Sequence, residues 1–262
     1  MIELKNVDFS YDDLPVLRNI SFTVDDSEAV VVMGPSGSGK STILRLILGL
    51  ETPQRGEVNV DRRDICRMNE KSKRRIRRKI GMVFQDGALF DSLSVGENVG
   101  YYLLEHTALP WPEIESRVRS MLGFVGLDAD EVIDKLPDQL SGGMRRRVAI
   151  GRALLSTDPK IMLYDEPTTG LDPNAIRNVV NLINKLHRER TVSTIVVTHQ
   201  IADAFAMADR YIIIYRGELV FDGPYEQLRG CRDTRVQEFL APFRDSMTGV
   251  FKRKFFDGGI SP

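Results

Sequence analysis

Residues Gly34-Pro35-Ser36-Gly37-Ser38-Gly39-Lys40-Ser41 spell G-x-x-x-x-G-K-[ST] and follow the apolar run Ala29–Met33. Each residue type has a reason to be there if this loop cradles a chain of phosphates. Glycines let backbone N–H groups crowd around phosphate oxygens. A helix opening near Lys40 turns its partial positive charge on the same anion. Lys40 would reach the β and γ phosphates, and Ser41 would hold Mg2+ through its hydroxyl. The bland alternative is a chance glycine-rich turn. A short buried strand before the loop and an apolar helix after it weigh against that. Downstream, Ile161-Met162-Leu163-Tyr164-Asp165-Glu166 is an apolar strand that ends in two acids. In a phosphate-loop protein an acid at a strand end can hold Mg2+, here Asp165. The next acid, Glu166, can orient or deprotonate an attacking water.

The elements that must position these groups follow from the hydrophobic pattern. Short strands are expected over 2–7, 17–24, 29–33 and 55–60, with a helix over 41–50 ended by Gly49 and Pro53. A basic helix-like run covers 70–79, and a strand over 80–84 leads to Gln85. From 86 to about 158 the reading is mostly helical, broken at Pro110, Pro112 and Pro137. Alternation then resumes: strand 160–164, helix 173–190, strand 194–198, helix 201–209, strand 211–215. Asp172 is the expected N-cap of the 173–190 helix, with Pro173 at its first position. Strands alternating with helices imply an α/β chain with a parallel sheet, and the helical middle reads as an insertion.

Composition bounds the function. With 262 residues the chain has room for a full core, and 42% hydrophobic with 28% charged residues is ordinary for a globular protein. Disordered, collagen-like and coiled-coil classes are excluded. Lys and Arg total 36 against 37 Asp and Glu, a net charge of −1, without the basic excess of a nucleic-acid binder. Cys66 and Cys231 lie far apart and form neither a zinc nor a redox motif, which fits a reducing compartment. The start, MIELKNVDFSY, has no signal-peptide pattern. No apolar run reaches the roughly 18 residues of a membrane span, so any work at a membrane is expected from its side.

Further motifs appear in a fixed order: GPSGSGKST (34–42), Gln85, LSGGM (140–144), IMLYDEP (161–167), Gly170-Leu171-Asp172 and Thr198-His199. In these the chain resembles the nucleotide-binding subunit of an ABC transporter, over about residues 1–240. The resemblance implies a P-loop NTPase fold of the ABC ATPase type. Its parts would be a parallel-sheet core (1–85 and 160–240), a small antiparallel β subdomain, an inserted α-helical subdomain (about 86–159) and a C-terminal tail (241–262).

The resemblance also implies roles and partners. The cofactors are ATP and Mg2+. Gly34, Pro35, Ser36, Gly37, Ser38, Gly39, Lys40, Ser41 and Thr42 would hold the phosphates, and Tyr11 would stack on adenine. Ser41, Gln85 and Asp165 would serve Mg2+, Glu166 would be the catalytic base, and His199 would contact the γ-phosphate. Ser141, Gly142 and Gly143 would close on the γ-phosphate bound by a second copy of the chain, with Asp172 at the dimer seam. Met144 stands where the family usually has glutamine, and methionine cannot donate a hydrogen bond.

The stretch 85–99, with 105–110 and 233–240, is similar to the ATPases of bacterial Mce-type lipid transporters, closest to the Mla system. That implies phospholipid transport between inner and outer membrane. The implied partners are an integral membrane permease, an Mce-domain substrate-binding protein and a small cytoplasmic accessory protein, but no nucleic acid. The chain would be cytoplasmic, peripheral on the cytoplasmic face of the inner membrane. The permease would dock on the loop after Gln85 through Ala88, Leu89, Phe90 and Leu93, unless those four fill the helical core. Lys71–Lys79, with seven basic residues in nine, reads as a solvated face rather than a nucleic-acid or lipid site. The tail, with Phe243, Phe251, Phe255 and Phe256, would pack on the neighbouring ATPase or the accessory protein. The rival readings are the ATPase of another transporter such as a small-molecule importer, a soluble ABC ATPase acting on nucleic acid or ribosomes, and a non-catalytic binding module.

Overall fold

The computed structural model describes residues 1–243, Thr157 by its backbone alone. The tail beyond, with Phe251, Phe255 and Phe256, lies outside the described residues. In chain order the elements begin with β1 (Ile2–Tyr11), β2 (Leu14–Val24), β3 (Ala29–Met33), α1 (Lys40–Ile47), β4 (Arg55–Val60), β5 (Arg63–Asp64) and α2 (Glu70–Arg77). Next come β6 (Ile80–Val83), α3 (Val95–His106), α4 (Trp111–Phe124), α5 (Ala129–Val132), α6 (Gly142–Thr157), β7 (Ile161–Asp165) and α7 (Pro173–Arg190). The chain continues with β8 (Ser193–Thr198), α8 (Ile201–Ala204), β9 (Arg210–Tyr215), β10 (Glu218–Pro224), α9 (Tyr225–Arg229) and α10 (Thr234–Leu240). It divides into two compact units, Met1–Ile76 with the chain from Ser193 onward, and Arg77–Val192.

In the first unit β3 lies between β8 and β9, parallel to both, with Val31 opposite Val196 on one side and Tyr211 on the other. The near-continuous valine and isoleucine of β3, β8 and β9 is what a parallel strand covered on both faces requires. β10 returns antiparallel to β9 through a two-residue turn, Arg216-Gly217, both at positive φ. That is the turn geometry whose twist suits a hairpin. β2, β1, β4 and β5 lie side by side as the expected antiparallel sheet. Arg210 fastens these layers: its guanidinium donates to Asp222 on β10, to Glu28 ahead of β3 and to the Thr23 carbonyl on β2. In the basic helix α2 only Ile76 is buried, and Lys71, Arg74 and Arg75 are exposed, as a solvated face should be.

Two expectations change. The helix expected over 201–209 regularly winds only over Ile201–Ala204. Beyond it the N–H of Ala206 bonds Asp203 and that of Met207 bonds Ala204, three residues back, so the chain tightens into turns. The Tyr211 hydroxyl, donating to the Ala208 carbonyl, draws that turn onto β9. Pro112 breaks nothing: it sits in the first turn of α4, where its missing N–H is not needed.

In the second unit β6 and β7 pair in parallel, Ile80 opposite Ile161 and Val83 opposite Tyr164. α3 opens on a reciprocal cap, the Ser94 hydroxyl accepting from the Glu97 N–H while the Glu97 carboxylate accepts from the Ser94 N–H. α7 begins as expected, with the Asp172 carboxylate accepting from the N–H groups of Asn174 and Ala175. Asp172→Ala should therefore cost about 0.5–2 kcal/mol, read as a lower thermal midpoint, and Asp172→Asn, which keeps the acceptor, should lose little. Among the described residues no helix is long and apolar enough to cross a membrane.

Candidate functional site

The loop between β3 and α1 belongs to the first unit. Gly39 is the residue before α1 and has φ +98°; a Cβ there would meet Leu17 Cδ2 at 2.5 Å. Only glycine fits, and the tight turn opens α1 with no side-chain cap on its first turn. Lys40 is buried, 6% exposed, and its ammonium donates to the Gly34 carbonyl at 2.8 Å and the Pro35 carbonyl at 3.0 Å. Its charge is thus folded back over the loop. The Ser38 hydroxyl is buried without a hydrogen-bond partner. An orphaned donor, an inward-folded ammonium and an uncapped helix start suit an oxyanion chain. Ser36, Gly37 and Ser41 are exposed, Pro35 is half-buried, and Gly34 and Thr42 are buried.

Tyr11, at the end of β1, and His199, just past β8, share this unit. The Tyr11 ring stands edge-on to Phe9 with centroids 4.8 Å apart, its hydroxyl accepts from Arg45, and it is 38% exposed. That leaves a partly open aromatic face. His199 is half-buried, its Nε2 3.4 Å from Gln200 Nε2.

The other expected residues lie in the second unit: Gln85, Ser141, Gly142, Gly143, Asp165, Glu166 and Asp172. Parallel pairing of β6 with β7 brings the strand ends bearing Gln85 and Asp165 alongside one another. Glu166 is 8% exposed and sits at φ +48°, a left-handed turn that non-glycine residues seldom adopt. Such strain is characteristic of functional positions. The Thr169 hydroxyl donates to the Glu166 carboxylate at 3.1 Å. Beside it, burial holds the Tyr164 phenol far above the usual tyrosine range, and neither the Tyr164 nor the Thr168 hydroxyl has a partner.

Ser141 caps α6, its hydroxyl accepting from the Met144 N–H at 3.3 Å. Gly142 and Gly143 form the first turn, so α6 begins with small residues and backbone donors. A Cβ on Gly143 would lie 2.6 Å from Ala175 Cβ on α7. Gly143→Ala should therefore lower stability by about 1–3 kcal/mol through overpacking, visible as an earlier urea midpoint. Gln85 and Gly142 border one cleft of about 220 Å³, with Asp86, Arg146, Thr169 and Gly170 also on its wall. Among the described residues no group of three or more His, Cys, Asp or Glu side chains is placed to hold a metal.

The loop after Gln85 is held from within. Buried Asn98 accepts from the Phe90 N–H and donates to the carbonyls of Phe90, Leu93 and Ser94. None of the four apolar loop residues is buried: Ala88 and Phe90 are exposed, Leu89 and Leu93 intermediate. They do not fill the helical core. The sequence reading missed Thr169, Asn98 and the arginines of α6. For the arginines a signal existed: Arg145-Arg146-Arg147 occupies a helix that is otherwise largely apolar.

A glycine-rich loop between a parallel strand and a helix, and in the other unit a parallel strand that ends in an acid pair, are the marks of a phosphate-loop nucleoside triphosphatase. The comparisons narrow that class. The family model described as ABC transporter matches residues 17–169. The chain is 38% identical to the intermembrane phospholipid transport system ATP-binding protein MlaF of Haemophilus influenzae, over 92% of this chain and 90% of that one. It is 37% identical to the Fe(3+) ions import ATP-binding protein FbpC of Escherichia coli, over 99% of this chain and 71% of that one. An ATP-binding cassette solved as a dimer in a post-hydrolysis state, bound to ADP and Pi, superposes with a TM-score of 0.78 at 36% identity. That match covers 86% of this chain and 98% of the other. The chain belongs to the ABC transporter family. Its activity is the family's ATP hydrolysis, and its fold is the ABC ATPase fold.

Proposed function

We propose that the chain is the motor of a transporter that moves phospholipid between inner and outer membranes, working as a pair of copies beneath an integral membrane permease. ATP sits in Gly34–Thr42 with Tyr11 on its adenine. Ser41, Gln85 and Asp165 hold Mg2+, which neutralises charge on the phosphates when bound. Glu166 orients the water and takes its proton, and His199 contacts the γ-phosphate. Ser141, Gly142 and Gly143 of one copy close on the nucleotide of the other, with Asp172 at the seam. Loss of the γ-phosphate removes the shared anion, and the pair opens. Coupling to the permease is then a population shift set by differential nucleotide affinity.

The observation that carries the lipid reading is the end-to-end match with MlaF, 90% of its length. The iron-import relative is matched over only 71% of its length, so it carries sequence this chain does not parallel. An ion importer remains the second reading, favoured by nearly equal identity. The exposed Phe90 and Ala88 support permease docking, and their place at the inner membrane's cytoplasmic face follows from it. An Mce-domain protein and a small cytoplasmic accessory protein complete the assembly. Purification of the native complex in detergent, with identification of its chains and lipid, tests this. An Mce-domain chain and bound phospholipid are expected; a solute-binding importer complex would overturn the lipid reading.

A further inference from the structure

The arginines of α6 all bond backbone carbonyls; Arg146 is buried, and Arg145, Arg147 and Arg152 are half-buried. Arg145 donates to the carbonyls of Pro137 and Leu140, Arg147 to Gly126, Arg146 to Phe84, and Arg152 to Gly87 and Ala88. Two of them therefore bracket Gln85. Arg146 Nη1 lies 2.6 Å from the Phe84 carbonyl, one residue before Gln85, and Arg152 takes the carbonyls two and three residues after it. Arg146 is 5% exposed and borders the same cleft as Gln85 and Gly142. The charges of Asp86 and Asp165 both act on its guanidinium, against the burial that disfavours it. A buried arginine without a carboxylate bonded to it among the described residues, spending a charge-assisted bond on one carbonyl, is costly to keep unless its position matters.

We propose that Arg146 is a positioning residue for hydrolysis: it fastens the backbone before Gln85 to the helix that starts with Ser141–Gly143. Movement of the α6 start on engaging a nucleotide then carries the Gln85 segment with it. The sense of the inference rests on the reading of Gln85 and Asp165 as Mg2+ ligands.

The test compares Arg146→Met, Arg146→Lys and Asp165→Asn in the full chain. Steady-state phosphate release is titrated with Mg2+ and with ATP, and amide exchange is followed over 84–88 without nucleotide. Arg146→Met should lower kcat about tenfold, equivalent to about 1.4 kcal/mol of barrier. It should raise the Mg2+ requirement, leave the KM for ATP within about threefold, and speed exchange over 84–88. Arg146→Lys, which keeps charge and a donor, should recover most of all three effects. Arg146→Gln, smaller and still polar, replaces the methionine variant if that one does not fold. Parental exchange and kcat in a folded neutral variant overturn the proposal. So does equal impairment of the lysine and neutral variants, which would mark a merely structural role. If Asp165→Asn leaves the Mg2+ requirement unchanged, the ligand reading fails, while exchange over 84–88 still judges Arg146.

Discussion

Glu166→Gln is expected to bind ATP as well as the parent and to release phosphate about 10²–10⁴ times more slowly, the usual contribution of a positioned base. Three features argue for an effect on turnover rather than binding. Glu166 follows the last residue of β7 and is nearly buried, so its carboxylate is held in a small space. Its left-handed backbone, at a cost of order 1–3 kcal/mol, turns the chain sharply at the end of β7 and so directs the buried carboxylate away from the strand. Its orientation is fixed by the Thr169 hydroxyl. Glutamine keeps the size and an oxygen that can accept from Thr169, so the fold and phosphate loop are left alone, but it cannot take a proton from water. Phosphate release and binding of a fluorescent ATP analogue, measured on the same preparation, separate the two effects. Hydrolysis at the parental rate would remove Glu166 from the role of base.

The candidate phosphate loop and acid pair stand out in the sequence because phosphate binding would constrain residue type and spacing within a few positions. The glycines of 34–39 and the acid pair at 165–166 are local patterns with local causes. Asp172 as a cap was equally local, a short polar side chain ahead of a proline. The hairpin of β9 and β10 was not read, because its turn is Arg216-Gly217, and arginine at positive φ gives no compositional signal. The 201–209 helix was overread, because apolar spacing persists through Phe205 and Met207 while the hydrogen bonds tighten to three residues. What the sequence could not supply was long-range: Arg146 reaches the Phe84 carbonyl across 62 positions. Likewise nothing in the run Ala88–Leu93 distinguishes a core from a surface; Asn98 and Arg152, which hold the loop's backbone through bonds to 87, 88, 90, 93 and 94, keep those apolar side chains outside the core.

Lys40→Ala should act on the other side of the reaction, weakening ATP before any chemistry occurs. The Lys40 ammonium is already desolvated and rests on two carbonyls of its own loop, so it needs little rearrangement to meet a phosphate oxygen. A hydrogen bond from a charged donor is worth about 1.5–3 kcal/mol, which at 1.4 kcal/mol per decade predicts a rise in Kd of roughly 10- to 100-fold. General destabilisation is the competing explanation, since the Gly34 and Pro35 carbonyls lose their donor. The nucleotide series separates the two. A lysine that reaches the β and γ positions should matter for ATP and ADP and hardly at all for AMP, whereas a collapsed loop would weaken all three alike. Binding of ATP, ADP and AMP to the variant, with a thermal melt of the protein alone, therefore decides whether the ammonium reads the phosphate chain or only props up the loop. Equal losses across the series, with a lowered melting temperature, would mean that Lys40 props up the loop through the Gly34 and Pro35 carbonyls and does not read the phosphate chain.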